Sequence, residues 1–230
     1  MIQFYLPEET FILFHPDYIL IKGCPDRILA AIDEYRREKA FLINIGTKKD
    51  VLRKVGGQKY ISLEVSSIFA SVSAALIDLA GLDDNIKIIV GPYRDSLRAL
   101  SKTYPGCSLD MFFFDYAKIK YTNDLKLCEE LGLVSQDTTI IADNVSRNSE
   151  YLEYVRAPGL KKRMAADETK RLTLCYESDI FLGRFDLRYK TSVVYSIKPT
   201  GEPVSIYTSS SPVSANRFTE CSGYFILLGK

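Results

Sequence analysis

The chain has 230 residues, enough for one large domain or two small ones, and 47% of them are hydrophobic, which allows an ordinary buried core. Thirty basic residues nearly balance 29 acidic ones, so nucleic acid or an anionic membrane is not expected as the main partner, and a small molecule is favoured. No apolar run approaches membrane-spanning length, and the first residues lack the pattern of a signal peptide.

The cysteines and the histidine give little sign of catalysis. Five cysteines are scattered without CxxC spacing, which predicts a reducing, cytoplasmic setting in which they serve as small apolar residues. The single histidine, His15, lies in the N-terminal stretch, where a surface or packing role is the more typical one.

The first sixty residues read as a lead-in to a more regular region. Residues 1–24 alternate weakly and predict an appended segment that packs on the main body. Pro25 opens a predicted helix with apolar residues at helical spacing. The apolar stretch 41–46 then ends in a turn glycine, and a basic segment covers residues 48–54.

From residue 59 onward, predicted strands and helices alternate four times, which predicts an α/β fold with a doubly wound parallel sheet. The predicted strands are 60–64, 86–91, 109–115 and 138–143. The predicted helices are 68–79, 95–104, 125–133 and 149–156.

The last third of the chain predicts an antiparallel addition to one sheet edge. A charged run, Lys161–Arg163, predicts a surface loop, and the apolar segments 172–176 and 192–196 predict strands without a helix between them. The stretch from 204 to 216 is rich in Ser and Pro and gives weak signals. We therefore divide the chain into an N-terminal segment (1–24), an α/β domain (25–198) and an irregular tail (199–230).

Two predicted buried strands end in acids. One apolar run ends in Asp115, and the next ends in Asp143 followed by Asn144. Because ligands bind beyond the carboxyl ends of parallel strands, these three oxygen-bearing side chains predict a site for a hard cation such as Mg²⁺. Each acid taken alone is more typical of a helix cap. The pair, with Lys118 beside Asp115 as a candidate general base, favours the metal site over the caps.

Glu64 and Gly91 end the two earlier strands of the regular region. An acid at the position of Glu64 accepts hydrogen bonds from ribose hydroxyls in nucleotide-binding α/β folds, although a cap for the helix that follows is an equal alternative. A glycine at the position of Gly91 lets a ligand approach the backbone, but such glycines are also common in ordinary turns.

These residues belong to a longer pattern, which runs from about Arg27 to Val155. It consists of Ile32–Tyr35, Glu38–Lys39, Ile43–Lys49, Ile61–Glu64, Leu79–Leu82, Ile89–Gly91, Leu109–Lys118 and Ala142–Val145. The chain thereby resembles the catechol O-methyltransferase family, in the version found among fungal small-molecule O-methyltransferases.

The resemblance implies a Rossmann-like fold and a Mg²⁺-dependent transfer of a methyl group from S-adenosylmethionine to a catechol or phenol hydroxyl. It matches the metal ligands to Asp115, Asp143 and Asn144, and the lysine that takes the hydroxyl proton to Lys118. The remaining matches concern the methyl donor: Ile43, Asn44 and Gly46 in a loop that touches it, Glu64 at its ribose, and Arg94 where a family glutamine contacts its adenine. Gly91 is a further candidate for binding the donor.

The chain departs from the family pattern at two places. The family carries a strand, a glycine-rich turn and a helix ahead of the Glu64 strand, whereas only residues 47–60 are available here. We therefore expect the first core strand, which lies mid-sheet in this fold, to be missing. The family's substrate-holding acid also has no match near Ser222–Phe225.

Three interpretations follow. The chain is a methyltransferase with impaired donor binding, or a translated gene model that lacks an exon, or a repurposed, non-catalytic protein that binds a small molecule.

Overall fold

The structure, a computed structural model, describes residues 15–38, 59–145, 148–172, 181–197, 203–210 and 224–228. Its strands are β1 (Lys59–Glu64), β2 (Ile86–Val90), β3 (Met111–Phe114), β4 (Thr139–Asp143), β5 (Lys190–Ile197), β6 (Pro203–Ser210) and β7 (Tyr224–Leu228). Its helices are α1 (Tyr18–Ile21), α2 (Pro25–Glu38), α3 (Ser67–Leu79), α4 (Tyr93–Thr103), α5 (Tyr121–Glu130), α6 (Ser149–Arg156) and α7 (Gly159–Leu172), with a 3-10 turn at Lys118–Lys120 ahead of α5.

The described strands form a seven-stranded sheet in the order β2-β1-β7-β3-β4-β6-β5. The pairs β1–β2, β1–β7, β3–β7 and β3–β4 are parallel, whereas β6 pairs antiparallel with both β4 and β5. The chain moves outward from β1 to β2, then crosses to β3 and continues to β4. This arrangement confirms the predicted doubly wound, mostly parallel, Rossmann-like sheet with an antiparallel C-terminal edge.

The central position of the sheet is taken by β7, the last described strand of the chain. Ile226 of β7 pairs with Ile61 of β1 on one side and with Phe112 of β3 on the other. Among the described residues ahead of β1, 15–38 contain helices but no strand. A strand from the far end of the chain thus fills the mid-sheet position, so the described sheet has no gap there.

The segment 199–230, expected to be irregular, contributes β6 and β7 to this sheet. Ser and Thr in β6 weaken its hydrophobic signal, but the strand has a partner on each side. Ser209, for example, pairs with Ile140 of β4 and with Thr191 of β5. Backbone N–H and C=O groups can pair whatever side chains they carry, so the polar composition of this segment did not reveal the strand.

The core lies around β3 and β4, whose side chains are buried along almost their whole length. Phe112, Phe114, Ile140 and Ala142 are fully buried, as expected for strands covered on both faces. A second, smaller cluster joins the N-terminal helices to α3, through Ile21, Ile28, Ala31, Leu79 and Ala80. The described part of the N-terminal segment therefore packs on the helical layer beside β1.

The charged run at 161–163 was predicted to be a surface loop, and this is wrong. It lies within α7, and Lys162 is buried, with its Nζ 4.2 Å from the ring centroid of Tyr154 and 4.7 Å from that of Tyr189. The lysine also donates to the carbonyl of Leu187 at 3.3 Å, and burial lowers its pKa. Two aromatic faces and a carbonyl stabilise the charge of Lys162, whereas a run of basic residues is typical of a solvated surface.

The helix over 125–133 was also misplaced by the sequence. The helix α5 begins at Tyr121 and ends at Glu130, and Gly132 lies beyond it with φ = 72°. A glycine with positive φ just after a helix is a common C-terminal cap. This shift brings Tyr121 and Asp124 into the first turn of α5.

The cysteines do not all serve as free apolar residues. Cys24 and Cys128 are free, and Cys128 is buried, but Cys107 is disulfide-bonded. The expectation of free thiols throughout is therefore wrong at Cys107. None of the helices in the described ranges has the length and apolar character needed to cross a membrane.

The central placement of β7 predicts the effect of a proline in it. Ile226→Pro removes a backbone donor from a strand with partners on both sides and leaves a buried acceptor without its bond, so we expect it to destabilise the fold by about 1–3 kcal/mol. The matched control is Lys190→Pro at the first residue of the edge strand β5, which should cost much less. Urea unfolding measures both, and an Ile226→Pro chain as stable as the control would contradict a central β7.

Candidate active site

Asp115 and Asp143 lie side by side where two neighbouring strands end. The parallel register pairs Phe114 of β3 with Ala142 of β4, so the residue after each pair is an acid at the same edge of the sheet. Asp143 is buried, with 4% of its surface exposed, whereas the side chain of Asp115 is 20% exposed. Burial of a carboxylate is costly without partners, and one partner of Asp143 is the side-chain amide of Asn144.

Lys118 lies on the turn between β3 and α5 and reaches back to the same edge. Its Nζ donates to Oδ1 of Asp115 and to the hydroxyl of Tyr121, each at 3.1 Å. The side chain is about a quarter exposed, so it is not sealed in the core. The structure thus brings together the two residues that the sequence placed three positions apart.

Asn144 is held against Asp143 in an unusual backbone conformation. Its φ is 53°, in the left-handed region that asparagine tolerates better than most residues. Its Nδ2 donates to Oδ2 of Asp143 at 2.6 Å. The three oxygen-bearing residues predicted from the sequence, Asp115, Asp143 and Asn144, therefore lie on adjoining strand ends.

Two further residues, which the sequence did not single out, fix the position of Lys118. Asn148 caps α6 by accepting the backbone N–H of Tyr151 at 3.0 Å, and its amide donates to the carbonyl of Lys118. The asparagine ahead of α6 is a readable cap signal, but the contact with a residue thirty positions earlier is not.

The second residue is Tyr121, which is fully buried. Its hydroxyl donates to the carbonyl of Phe114 at 2.8 Å and accepts the backbone N–H of Tyr116 at 3.3 Å. Burial, followed by the charge of Asp115, raises the pKa of Tyr121 well above its ordinary value, so the group remains a neutral phenol. The sequence predicted that α5 begins at residue 125, so Tyr121 was not recognised as part of its first turn.

Glu64 and Gly91 lie at the ends of β1 and β2, which also pair in parallel. One oxygen of the Glu64 carboxylate accepts the backbone N–H of Ser66 at 2.8 Å, and Ser66 itself caps α3 by accepting the N–H of Phe69. The N–H of Gly91 donates to the carbonyl of Glu64, and its φ of 146° favours glycine. Both residues face the same end of the sheet as Asp115.

Arg94 is engaged by the protein's own groups. Its Nε lies 3.6 Å from Oδ1 of the buried Asp124, and its guanidinium carbon lies 5.4 Å from the ring centroid of Phe181. The other oxygen of Asp124 accepts the Tyr116 hydroxyl at 2.9 Å. Burial raises the pKa of Asp124, and burial together with Glu64 and Asp124 raises that of nearby Tyr93 to about 12.

The residues present suit a divalent cation in their donor chemistry, since two carboxylates and one amide oxygen are the ligands that Mg²⁺ prefers. Within the described part of the chain, no group of three or more His, Cys, Asp or Glu could hold a metal, so such a site would depend on Asn144 and water. The donor-loop residues Ile43, Asn44 and Gly46 lie outside the described residues.

A model of the family described as O-methyltransferase matches residues 55–184, more than half of the chain. The chain is 30% identical over 180 residues to a catechol O-methyltransferase from Bos taurus, and the alignment covers 65% of this chain and 66% of the relative. A catechol O-methyltransferase from Mus musculus is 29% identical over 180 residues, with 65% and 68% covered. The chain spans about two thirds of the length of these relatives.

Solved structures share the fold at low sequence identity. The O-methyltransferase TomG from Streptomyces achromogenes, in complex with SAM, has a TM-score of 0.52 and 13% identity, and covers 90% of this chain and 100% of its own. The cofactor-bound protein Rv0187 from MTB has a TM-score of 0.51 and 16% identity, with 91% and 99% covered. The likeness concerns the arrangement of strands and helices.

The burial of Asp124 predicts a pH dependence of stability. Because its folded-state pKa is raised above the ordinary value of 3.8, the native state keeps a proton that the unfolded chain has lost. The free energy of unfolding therefore falls as pH rises from the ordinary value through the raised one.

Asp124→Asn lacks this titration, so the stability of the native chain relative to the variant should fall through that window and then level off. Urea unfolding of both chains across a pH series measures the difference, in which the titrating groups that do not interact with Asp124 cancel. A difference that is constant or rises with pH would contradict the assignment.

Proposed function

Because the chain belongs to the O-methyltransferase family, we propose that it transfers the methyl group of S-adenosylmethionine to a hydroxyl of a catechol-type small molecule in a Mg²⁺-dependent reaction. The observation that carries this proposal is the meeting of Asp115, Lys118 and Asp143 at adjoining strand ends inside the matched segment. The catechol class is supported by the names of the relatives from Bos taurus and Mus musculus.

The reaction assigns one step to the residues of this chain. The acceptor oxygen forms a bond to the methyl carbon while the carbon–sulfur bond of the sulfonium breaks, and the sulfur leaves as a neutral thioether. The hydroxyl proton would pass to Nζ of Lys118, which lies 3.1 Å from Oδ1 of Asp115, once that nitrogen has released a proton of its own to solvent. Holding the two reactants in line is the main contribution expected of the site, since such positioning removes much of the entropic barrier.

Asp115, Asp143 and Asn144 are the residues that would hold the metal. Mg²⁺, when bound, supplies a Lewis acid that lowers the pKa of a hydroxyl. Asn148 fixes the backbone of Lys118, and the Asp143–Asn144 hydrogen bond keeps those two side chains together.

For the donor, Glu64 is the group that would accept ribose hydroxyls, through the carboxylate oxygen that does not take the Ser66 N–H. Gly91 offers backbone without a side chain at the end of β2. Arg94 would border the adenine with a guanidinium already neutralised by Asp124, so we expect it to contribute a flat surface more than a charge. Ile43, Asn44 and Gly46 remain candidates from the sequence.

A second candidate function is a non-catalytic small-molecule-binding protein of the same fold. The observation that favours it is the Lys118–Asp115 ion pair, in which the candidate base and a candidate metal ligand bind each other. Donor and acceptor would then bind without methyl transfer. Transfer of radiolabelled methyl from S-adenosylmethionine to a catechol, with and without EDTA, separates the two functions.

The first prediction for this function concerns the general base. Lys118→Ala should lower kcat by about 10²–10⁴-fold, because no other amine takes its place at the described edge, while Mg²⁺ binding persists. The control is Lys120→Ala, two residues along the same turn, which should keep the native kcat. Full activity in Lys118→Ala would rule out this lysine as the base.

The second prediction concerns the metal ligands. Asp143→Ala should weaken binding of Mg²⁺, measured by calorimetry, by more than about a hundredfold. Loss of a residue that only hydrogen-bonds to a metal ligand costs about 10–100-fold, and Asp143 would be a ligand itself. Asp137→Ala changes an exposed acid just ahead of β4 and serves as the control. Equal affinity in the two variants would refute the assignment of Asp143.

A further inference from the structure

A single buried hydroxyl connects the backbone on both sides of Asp115. Tyr121 Oη donates to the carbonyl of Phe114, the residue before the acid, and accepts the N–H of Tyr116, the residue after it. The turn that carries Asp115 out of β3 is therefore held at both ends by one atom.

The same hydroxyl accepts a hydrogen bond from Nζ of Lys118 at 3.1 Å and lies 3.5 Å from the carbonyl oxygen of Asp143. It thus touches the candidate base directly and lies beside the end of the neighbouring strand β4. Neither the sequence pattern nor the family resemblance assigned a role to this residue.

Tyr121 cannot itself touch a bound ligand, because it is fully buried beneath the turn. Its ring packs against Phe114, Tyr116 and Tyr151, with centroids 5.4, 4.9 and 5.9 Å away. These contacts account for the ring, but not for the hydroxyl, whose partners are Lys118 and the backbone on either side of Asp115.

We infer that Tyr121 is a positioning residue, whose hydroxyl sets the relative placement of Asp115 and Lys118. The inference rests on the proposed methyl transfer for its kinetic consequence, but the placement of Asp115 has a consequence for metal binding that does not depend on transfer. A partner that orients a first ligand commonly changes metal affinity or activity by about 10–100-fold.

The test is Tyr121→Phe, which removes the hydroxyl and keeps every ring contact, so the chain is expected to fold. We expect kcat to fall by about 10–100-fold and Mg²⁺ affinity, measured by calorimetry, to fall about tenfold or more. The KM for S-adenosylmethionine should stay within about twofold, because Tyr121 lies on the β3–β4 side of the crevice and Glu64 lies beyond β7.

The matched control is Tyr154→Phe. Its hydroxyl donates to Glu129, a buried carboxylate that also accepts from Tyr189 and from the backbone of Arg184, all outside the candidate site. This variant also loses a buried hydrogen bond to a charged group, so it should lower the thermal midpoint measurably. We expect its kcat and metal affinity to match those of the native chain.

Three results are decisive. Native kcat and native Mg²⁺ affinity in Tyr121→Phe would overturn the inference, as would equal losses in the two variants, which would mean general destabilisation. If the native chain binds Mg²⁺ but transfers no methyl group, the proposed function fails, while weakened Mg²⁺ binding in Tyr121→Phe alone still supports the positioning role.

Discussion

The in-register parallel pairing of β3 and β4 is the constraint on which the candidate site depends. Because Phe114 stands opposite Ala142, the next residue of each strand leaves the sheet at the same level, and both of those residues are acids. A shift by one residue would send one acid to the other face of the sheet. The fully buried side chains along both strands oppose such a shift, so the packing of the core sets the geometry of the chemistry.

The position between the two halves of the sheet is filled in a way that local sequence does not reveal. The strand β7 pairs with β1 and β3 through residues separated from them by more than a hundred positions. It therefore connects the side of the crevice that carries Glu64 to the side that carries Asp115. Loop-closure entropy makes such distant pairing slow to form, so this connection between the two sides is expected late in folding.

The sequence predicts those parts of the fold in which one local signal decides the outcome. Apolar runs that end in an acid predicted β3 and β4 together with Asp115 and Asp143. The alternation of strands and helices predicted α6 with the bounds that the structure has. It failed where partners come from elsewhere: Lys162 is buried by two rings beyond its own turn, and β6 is a strand because it has neighbours on both sides. Periodicity measures hydrophobicity along the chain and cannot report such contacts.

Tyr121 shows the same limit inside the site. A tyrosine at the start of a helix carries no sequence signal, since its ring is an ordinary core residue and only the hydroxyl is informative. That hydroxyl acquires its role because the turn after β3 folds back over it and brings Phe114, Tyr116 and Lys118 to one atom. A neutral phenol suits this place better than a carboxylate, because it both accepts from the lysine and donates to a carbonyl, and it adds no negative charge beside Asp115. The charge at this edge of the sheet is therefore left to the two acids and Lys118, and the buried group beneath them supplies order alone.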